Sequence, residues 1–471
     1  MRRDELGRRI RGAALVLGLA VGTIPATVSA ENVADAMVGA YNTSGLLEQN
    51  RALLRAADED VALAVSTLRP VIDWTIRVTR DLRNARVGLA ASNTRDTDAF
   101  AGLTATWLIY DNGARNMNIR SAKETVLATR QTLLSVEQAI LFRAASAYVN
   151  VLLGAENVRL RENNVRVLEE ERRAAQDRFE VGEVTRTDVA LAESRLAAAQ
   201  SNLAAARGLL DNARAEYENA VGRKPGNLAG QPRIPTIPAT VDAAVATAVR
   251  NHPDILSATH RVAAAELAIE STRRALGPQG ILSADVGATE GWDSDDYNRN
   301  ASVSLTMKQT IYQGGSKLAT IRRAMATRDS ARGNLLTVQR DVVQGVNDAY
   351  SRFEVSRARL AATAEQVRAA QVAFDGIREE ATLGARTTLD VLTAEQDLLD
   401  ALTAQISARS EESIASYQLL QAQGLLTAER LGLGVQLYDP VIYYQIVKDA
   451  PSAYSKQGKD LNRVLEALGR R

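Results

Sequence analysis

Two aspartates, Asp188 and Asp390, have the side chain and the surroundings to act at a functional site. They lie 202 residues apart, and each follows a glycine by six positions, Gly182 in one case and Gly384 in the other. A carboxylate at the start of a helix satisfies backbone amides, which is generally worth about 1 kcal/mol. Carboxylates also attract cations. The residue type therefore suits either a helix cap or an acidic site that attracts cations, and the position at the start of a helix predicts N-capping by both aspartates.

Other chemistry is poorly represented in the sequence. The chain has no cysteine, which excludes disulfides, thiol catalysis and zinc-finger spacing. Two histidines, His252 and His260, lie eight positions apart without a ligand set that would complete a metal site. We find no nucleophile–base pair, phosphate loop or carboxylate dyad, so we predict no catalytic site, metal or cofactor. A net charge of +1 gives no reason to expect nucleic acid as a partner.

The two aspartates belong to an internal repeat with a constant offset of 202 residues. The matching positions are Ile109, Tyr110, Gly113, Tyr148, Gly182, Thr185 and Asp188 in one copy, and Ile311, Tyr312, Gly315, Tyr350, Gly384, Thr387 and Asp390 in the other. The two glycines of each copy are 69 positions apart with no proline between them. A continuous helix of that span is about 100 Å long, which no compact domain of this size can contain.

The N-terminus predicts export. Five arginines, Arg2, Arg3, Arg8, Arg9 and Arg11, precede an apolar run from Ala13 to Ile24 that is too short to cross a bilayer. Small residues at Val28, Ser29 and Ala30 follow, so residues 1–30 are predicted to be a signal peptide cleaved before Glu31. No later segment approaches 18 consecutive apolar residues, so the mature chain is either soluble and exported or inserted as a β-barrel.

The repeat and the prolines divide the rest of the chain. We predict a first repeat over 31–221, a proline-rich linker over 222–240, a second repeat over 241–433 and a C-terminal segment over 434–471. In the first repeat an irregular stretch over 31–46 and a helix over 47–68 precede strands at about 71–110, a long helix at 113–182 and a helix at 188–220. In the second repeat the corresponding ranges are a helix at 254–276, strands at about 280–312, a long helix at 315–384 and a helix at 390–430.

Before each long helix the apolar period changes from 3.6 to 2, which predicts four strands in two hairpins. On the first strand Ile72, Trp74, Ile76 and Val78 alternate with polar residues. Each strand is about ten residues, the length that crosses a tilted bilayer. The tips are expected at about 92–98 and 290–300, which are polar. Trp74 and Trp107 are candidate anchors at the membrane interface, or else aromatics packed at strand ends.

Four strands cannot close a barrel, since about eight is the minimum. An open sheet in lipid leaves two edges whose unsatisfied backbone groups each cost several kcal/mol. The chain is therefore expected to share its sheet with other copies. Two copies would supply eight strands around a filled interior, and three would supply twelve around a channel.

The ordered set of motifs resembles the TolC family of outer-membrane efflux proteins. In each repeat a helix and a proline are followed by two strands, a short motif, a long helix and a second motif. The short motif is IYDNG at 109–113 in the first repeat and IYQGG at 311–315 in the second. The motif after the long helix is RFEVGEVTRTDV at 178–189 in the first repeat and ATLGARTTLDV at 381–391 in the second. The resemblance implies an α+β membrane protein: a homotrimer with a twelve-stranded barrel in the outer membrane and an α-helical tunnel through the periplasm. It further implies an exit duct for drug efflux or type I secretion, joined by a periplasmic adaptor to an inner-membrane pump of the ABC or RND type.

The resemblance also assigns roles to the residues around the two aspartates. Gly182 and Gly384 would form the periplasmic tip turns on which the adaptor docks. Asp390, Arg386, Asp188 and Thr187 would form the constriction and its closing contacts, although Arg386 also suits a solvated tip arginine. Two positions depart from the family pattern: Thr393 replaces a second acid, and Ala381 replaces the aromatic partner of the gate.

Two other classes of protein remain as alternatives. The first is a soluble periplasmic coiled-coil adaptor, against which the four strands of lipid-type alternation argue. The second is a periplasmic enzyme, which would need a catalytic constellation that the sequence does not supply.

Overall fold

The computed structural model describes residues 30–88, 90–292, 295–452 and 454–467. Residues 1–29 of the predicted signal peptide lie outside the described residues. The main chain of Glu31 pairs with the linker between the repeats: its amide donates to the Asn227 carbonyl at 2.8 Å, and its carbonyl accepts from the Ala229 amide at 2.8 Å.

The two repeats contain the same order of elements: two helices, two strands, a long helix and a shorter helix. The first comprises α1 (Val33–Thr43), α2 (Gly45–Ser66), β1 (Val71–Val87), β2 (Ala90–Tyr110), α3 (Ala114–Glu180) and α4 (Arg186–Val221). The second comprises α5 (Val241–Asn251), α6 (Pro253–Ala275), β3 (Gln279–Gly291), β4 (Tyr297–Lys308), α7 (Ser316–Thr382) and α8 (Thr388–Ala422). Two short helices, α9 (Pro440–Val447) and α10 (Lys456–Ala467), follow.

The long helices α3 and α7 have identical lengths of 67 residues each. At 1.5 Å per residue each is about 100 Å long, which agrees with the length expected from the glycine spacing. Helix α3 contains one window that is long and apolar enough to cross a membrane, but half of that window is buried in the protein. Core helices of soluble domains pass the same test, so the window does not identify a membrane span.

The four strands form one antiparallel sheet in the order β1-β2-β3-β4. The central pairing of β2 with β3, for example Leu103 opposite Val286, joins the two repeats. Strands β1 and β4 are the edges. Alternate apolar side chains on them are more than half exposed, namely Ile72, Trp74, Ile76 and Val78 on β1 and Val303, Leu305 and Met307 on β4. The sheet thus has an apolar surface that no described element covers.

Several element bounds differ from those predicted. Strands β1 and β2 have 17 and 21 residues instead of about ten, and the predicted loop at 92–98 is part of β2. Its polar side chains had indicated a turn, but the chain reverses at Gly88, where φ is 61°. The stretch at 31–46 is mostly α1, whose capping box at Asn32 and Asp35 the sequence analysis missed. Helix α8 ends at Ala422 and not near 430, because Gly424 takes a φ of 73°.

The largest apolar core lies where α1, α2 and α4 pack on α3 together with the C-terminal segment. Its largest fully buried side chains include Tyr148 and Tyr217. The Tyr148 hydroxyl donates to the Gly230 carbonyl at 2.9 Å, and Tyr350 donates to the Ala239 carbonyl at 3.0 Å. The repeated tyrosines therefore fasten two points of the linker to the two long helices.

Candidate functional site

Helix α3 ends in a turn that Gly182 makes possible. Gly182 has a φ of 80°, a conformation that favours glycine. Its amide donates to the Phe179 carbonyl at 3.0 Å, and the Glu183 amide donates to the Arg178 carbonyl at 2.8 Å. This pair of bonds is a Schellman cap, which satisfies the last carbonyls of the helix.

Helix α7 ends in the same way at Gly384, where φ is 78°. The Gly384 amide donates to the Ala381 carbonyl at 3.1 Å, and the Ala385 amide donates to the Glu380 carbonyl at 2.9 Å. A Cβ atom at either glycine would meet nothing within 4 Å, so glycine is required by the backbone angle and not by a close approach.

The two aspartates close capping boxes at the starts of α4 and α8. The Asp188 carboxylate accepts from the Thr185 amide at 2.9 Å and from its hydroxyl at 2.7 Å. The Asp390 carboxylate accepts from the Thr387 amide at 3.0 Å and from its hydroxyl at 2.8 Å. The expectation that the aspartates themselves are the N-cap residues is wrong, because each N-cap is the threonine three residues earlier. The Thr-x-x-Asp spacing was the available signal.

Both carboxylates are negatively charged at neutral pH. Hydrogen bonds from the Thr185 hydroxyl and amide hold the pKa of Asp188 below its usual range. Bonds from the Thr387 amide and hydroxyl do the same for the pKa of Asp390. We call the turn at Gly182, between α3 and α4, and the turn at Gly384, between α7 and α8, the two helical tips. Each tip therefore carries a fixed negative charge beside the N-terminus of a helix.

Arg386 is bound within its own turn. Its Nε atom donates to Oε2 of Glu380 at 2.7 Å, and this bond raises the pKa of the guanidinium. Thr187, on the other tip, is exposed. Within the part of the chain that the structure describes, no hydrogen bond joins Arg386 to Thr187. The predicted contact between these two residues is therefore not formed within one copy, and Arg386 contacts Glu380. Glu380 was missed by the sequence analysis, since a charge six positions away is not a regular helical spacing.

The tips also expose apolar side chains at equivalent positions. Val181 is 72% exposed and Leu383 is 81% exposed, each one residue before the capping glycine. Sequence reasoning did not select them, although the 202-residue offset relates them. An exposed apolar residue at the end of each long helix is available for contact with another molecule.

Trp74 and Trp107 lie on the sheet, far from the tips in sequence. Trp74 is 71% exposed on β1, whereas Trp107 on β2 is 41% exposed and donates from Nε1 to the Leu68 carbonyl at 2.8 Å. Trp74 thus has a free surface, and Trp107 is partly fixed against the end of α2. Elsewhere in the described ranges, no group of three or more His, Asp or Glu residues could hold a metal ion.

These features, a two-repeat chain with two long helices and a shared four-stranded sheet, define a class of protein. The chain belongs to the outer membrane efflux protein family, whose model matches residues 40–223 and 244–425. The TolC-type resemblance of the sequence is therefore confirmed.

Individual relatives agree with this assignment. The outer membrane efflux protein BepC of Brucella suis is 35% identical over 445 residues, which cover 94% of this chain and 96% of that protein. The alkaline protease secretion protein AprF of Pseudomonas aeruginosa is 28% identical over 191 residues, or 40% of this chain and 38% of that protein. The fold is similar to that of the Campylobacter jejuni CmeC outer membrane channel, with a TM-score of 0.73 and 16% identity over 92% of this chain and 89% of the other.

Proposed function

We propose that three copies of this chain form a closed channel in the outer membrane that continues as a helical tube into the periplasm. The protein is an outer membrane efflux protein, so the soluble adaptor and the enzyme that the sequence left open are not retained. The observation that carries the proposal is the open four-stranded sheet: among the described residues, nothing covers its apolar surface, and its edge strands β1 and β4 pair with no further strand.

Strand directions support closure by several copies. Because each neighbouring pair is antiparallel, β4 runs antiparallel to β1. Strand β4 of one copy can therefore pair with β1 of the next and continue the same pattern. Three copies give twelve strands, which leave room for a channel, whereas two give an interior filled by side chains.

Strand lengths support a membrane location for part of the sheet. Strands β3 and β4, with 13 and 12 residues, are long enough to cross a bilayer at the usual tilt. Strands β1 and β2 are longer, so the first hairpin would extend beyond the lipid at its tip. In this arrangement Trp74 anchors the outer surface at the interface.

The helices and tips supply the remaining parts of the duct. The two 67-residue helices of each copy form the wall of the tube. Its far end carries the capped turns at Gly182 and Gly384, where exposed Val181 and Leu383 offer a docking surface to a periplasmic adaptor. The adaptor connects the tube to an inner-membrane pump of the ABC or RND type, for export of small molecules or of secreted protein. Asp188, Thr187, Arg386 and Asp390 line the constricted entrance.

The test is reconstitution of the purified full-length protein into planar lipid bilayers. A channel gives discrete, stable conductance steps. Membranes that stay silent while the protein is shown to be folded and inserted would contradict the proposal.

A further inference from the structure

Near the tips, helix α8 of the second repeat is held on two sides. Leu392 is buried against Leu168 of α3 and Ala199 of α4, so this side contacts the first repeat. The other side packs on its own partner helix α7 through a cluster of Phe374, Ala381, Val391, Ala394 and Leu398. The contact between the repeats is therefore a separate surface, which can open without separating α7 from α8.

A carboxylic acid lies inside that contact. Glu395 follows Leu392 by three positions on the same side of α8 and is 6% exposed. Its Oε1 atom accepts a 2.8 Å hydrogen bond from Nδ2 of Asn164 on α3, which is also buried. Its Oε2 atom is buried without a hydrogen-bond partner among the described residues. One neutral donor compensates poorly for a buried negative charge.

The neighbouring elements do little to stabilise the charge. Helix α3 presents Glu171 and helix α7 presents Arg378, and these two groups face each other at 3.8 Å. Helix α4 contributes only apolar residues to the cluster around Leu392, namely Leu191, Leu196 and Ala199. Burial, with a smaller contribution from the Glu171 charge, raises the pKa of Glu395 to about 7, against the opposing effects of Asn164 and Arg378.

We propose that the Glu395–Asn164 pair is a proton-sensitive latch between the two repeats, closed when Glu395 is protonated and loosened when it is ionised. The inference rests on the proposed channel function, because α8 also carries Asp390 of the entrance. Nothing in the sequence pattern indicated this pair, since Asn164 and Glu395 are not related by the repeat offset.

The direction of the pH effect follows from where the proton binds more tightly. The closed contact binds it with a pKa of about 7, whereas a solvated glutamate has a value of 4.5. Falling pH therefore favours the closed contact. As the pH rises from 4.5 to 7, the ratio of closed to loosened molecules falls by up to about tenfold per pH unit. Asp390 remains ionised throughout this range, because its pKa is lowered.

Hydrogen exchange over residues 388–402 of the purified full-length protein tests the latch directly. After correction for the intrinsic rate, protection in the wild type should be lower at pH of about 8 than at about 5.5. Glu395→Gln keeps the acceptor for Asn164 without a charge, so its protection should stay at the low-pH level. The matched control is Glu193→Gln, the equivalent position in the first repeat, where the side chain is exposed; it should behave as the wild type.

Two results would overturn the latch: wild-type protection that is equal at both pH values, or a Glu395→Gln protein with undiminished pH dependence. If that variant does not fold, Glu395→Met provides a second neutral side chain of similar length, and the wild-type comparison stands without either. Exchange does not depend on conduction. A conducting channel with pH-independent exchange therefore refutes the latch alone, whereas a folded protein that shows the exchange effect but never conducts refutes the proposed function.

Discussion

Arg386 donates a 2.7 Å hydrogen bond to Glu380 across the turn that joins α7 to α8. The bond holds the guanidinium near the capping box of Thr387 and Asp390, in which the Asp390 carboxylate carries one negative charge. The tip of the second repeat is thus a compact arrangement of two acids and one base, whereas the first repeat has Val184 at the position of Arg386. The two tips share a backbone and differ in charge.

This difference predicts that the second repeat controls the entrance. In the proposed channel Arg386 lines the constricted entrance, so replacing it by serine removes a bulky charged group from that entrance, and we expect a higher single-channel conductance in planar bilayers. Glu380→Gln weakens the hold on Arg386 and should change conductance in the same direction by a smaller amount. Arg368→Ser is a suitable control, because Arg368 pairs with Glu365 within α7, away from the turn. Equal conductance in all four proteins would contradict the gate assignment.

The charge of Asp390 can be separated from its capping role. Asp390→Asn keeps an oxygen for the Thr387 amide and hydroxyl but removes the charge, and Asp390→Ala removes both. If the carboxylate lines the entrance, both variants lose cation preference in the reversal potential under a salt gradient. Only the alanine variant should speed hydrogen exchange at the start of α8.

A loss of selectivity confined to Asp390→Ala would show that the carboxylate acts as a cap alone. Asp188 offers the same pair of variants on the first tip. There the alanine variant should lose the hydrogen bonds from Thr185 and speed hydrogen exchange at the start of α4, because the side chain closes an equivalent box.

A buried acid in α2 predicts a pH-dependent stability. Asp58 is fully buried, neither carboxylate oxygen has a hydrogen-bond partner among the described residues, and burial raises its pKa to about 6. In the unfolded chain the value is 3.8, so the ionised form penalises the folded state. The penalty is absent below pH 3.8, grows as the pH rises and is complete above about 6, where it is on the order of 3 kcal/mol.

Asp58→Asn should therefore raise the thermal unfolding temperature at alkaline pH, with a gain that shrinks as the pH falls to 4. Circular dichroism of the helical signal measures it. Asp60→Asn, on the exposed side of the same helix, should have little effect at either pH. A gain for Asp58→Asn that is the same at all pH values would show that ionisation is not its cause.

The two tryptophans should differ in their contact with lipid. Trp74 is largely exposed, whereas the Trp107 indole is occupied by its bond to Leu68. In variants that keep one of these tryptophans, with the other and Trp292 replaced by phenylalanine, brominated lipids should quench Trp74 fluorescence more strongly. Stronger quenching of Trp107, or none for either, would contradict the anchor assignment of Trp74.

Much of the fold could be predicted because the signals that end helices and mark strands occur twice in the sequence. Gly182 and Gly384 mark helix ends by a backbone angle that other residues avoid, and alternation marks the strands wherever one side is apolar. The prediction of strand length failed at 92–98, because this part of β2 has no alternating apolar residues although its backbone pairs with β1. Arg386 with Glu380 and Asn164 with Glu395 could not be predicted, because these pairings depend on a turn geometry and on helix packing between the repeats.

Closure of the sheet between copies is the central claim, and the absence of native cysteine makes it directly measurable. One cysteine replaces Ile76 on β1, and a second replaces in turn Val303, Leu305 or Met307 on β4, within otherwise intact chains. After oxidation in outer membranes, denaturing gels without reductant should show covalent dimers and trimers for at least one cysteine pair, and no larger product. As the control, single-cysteine proteins should show neither the trimer nor a ladder of larger products. Products that stop at two copies, that continue beyond three, or that never form for any pair would contradict the account.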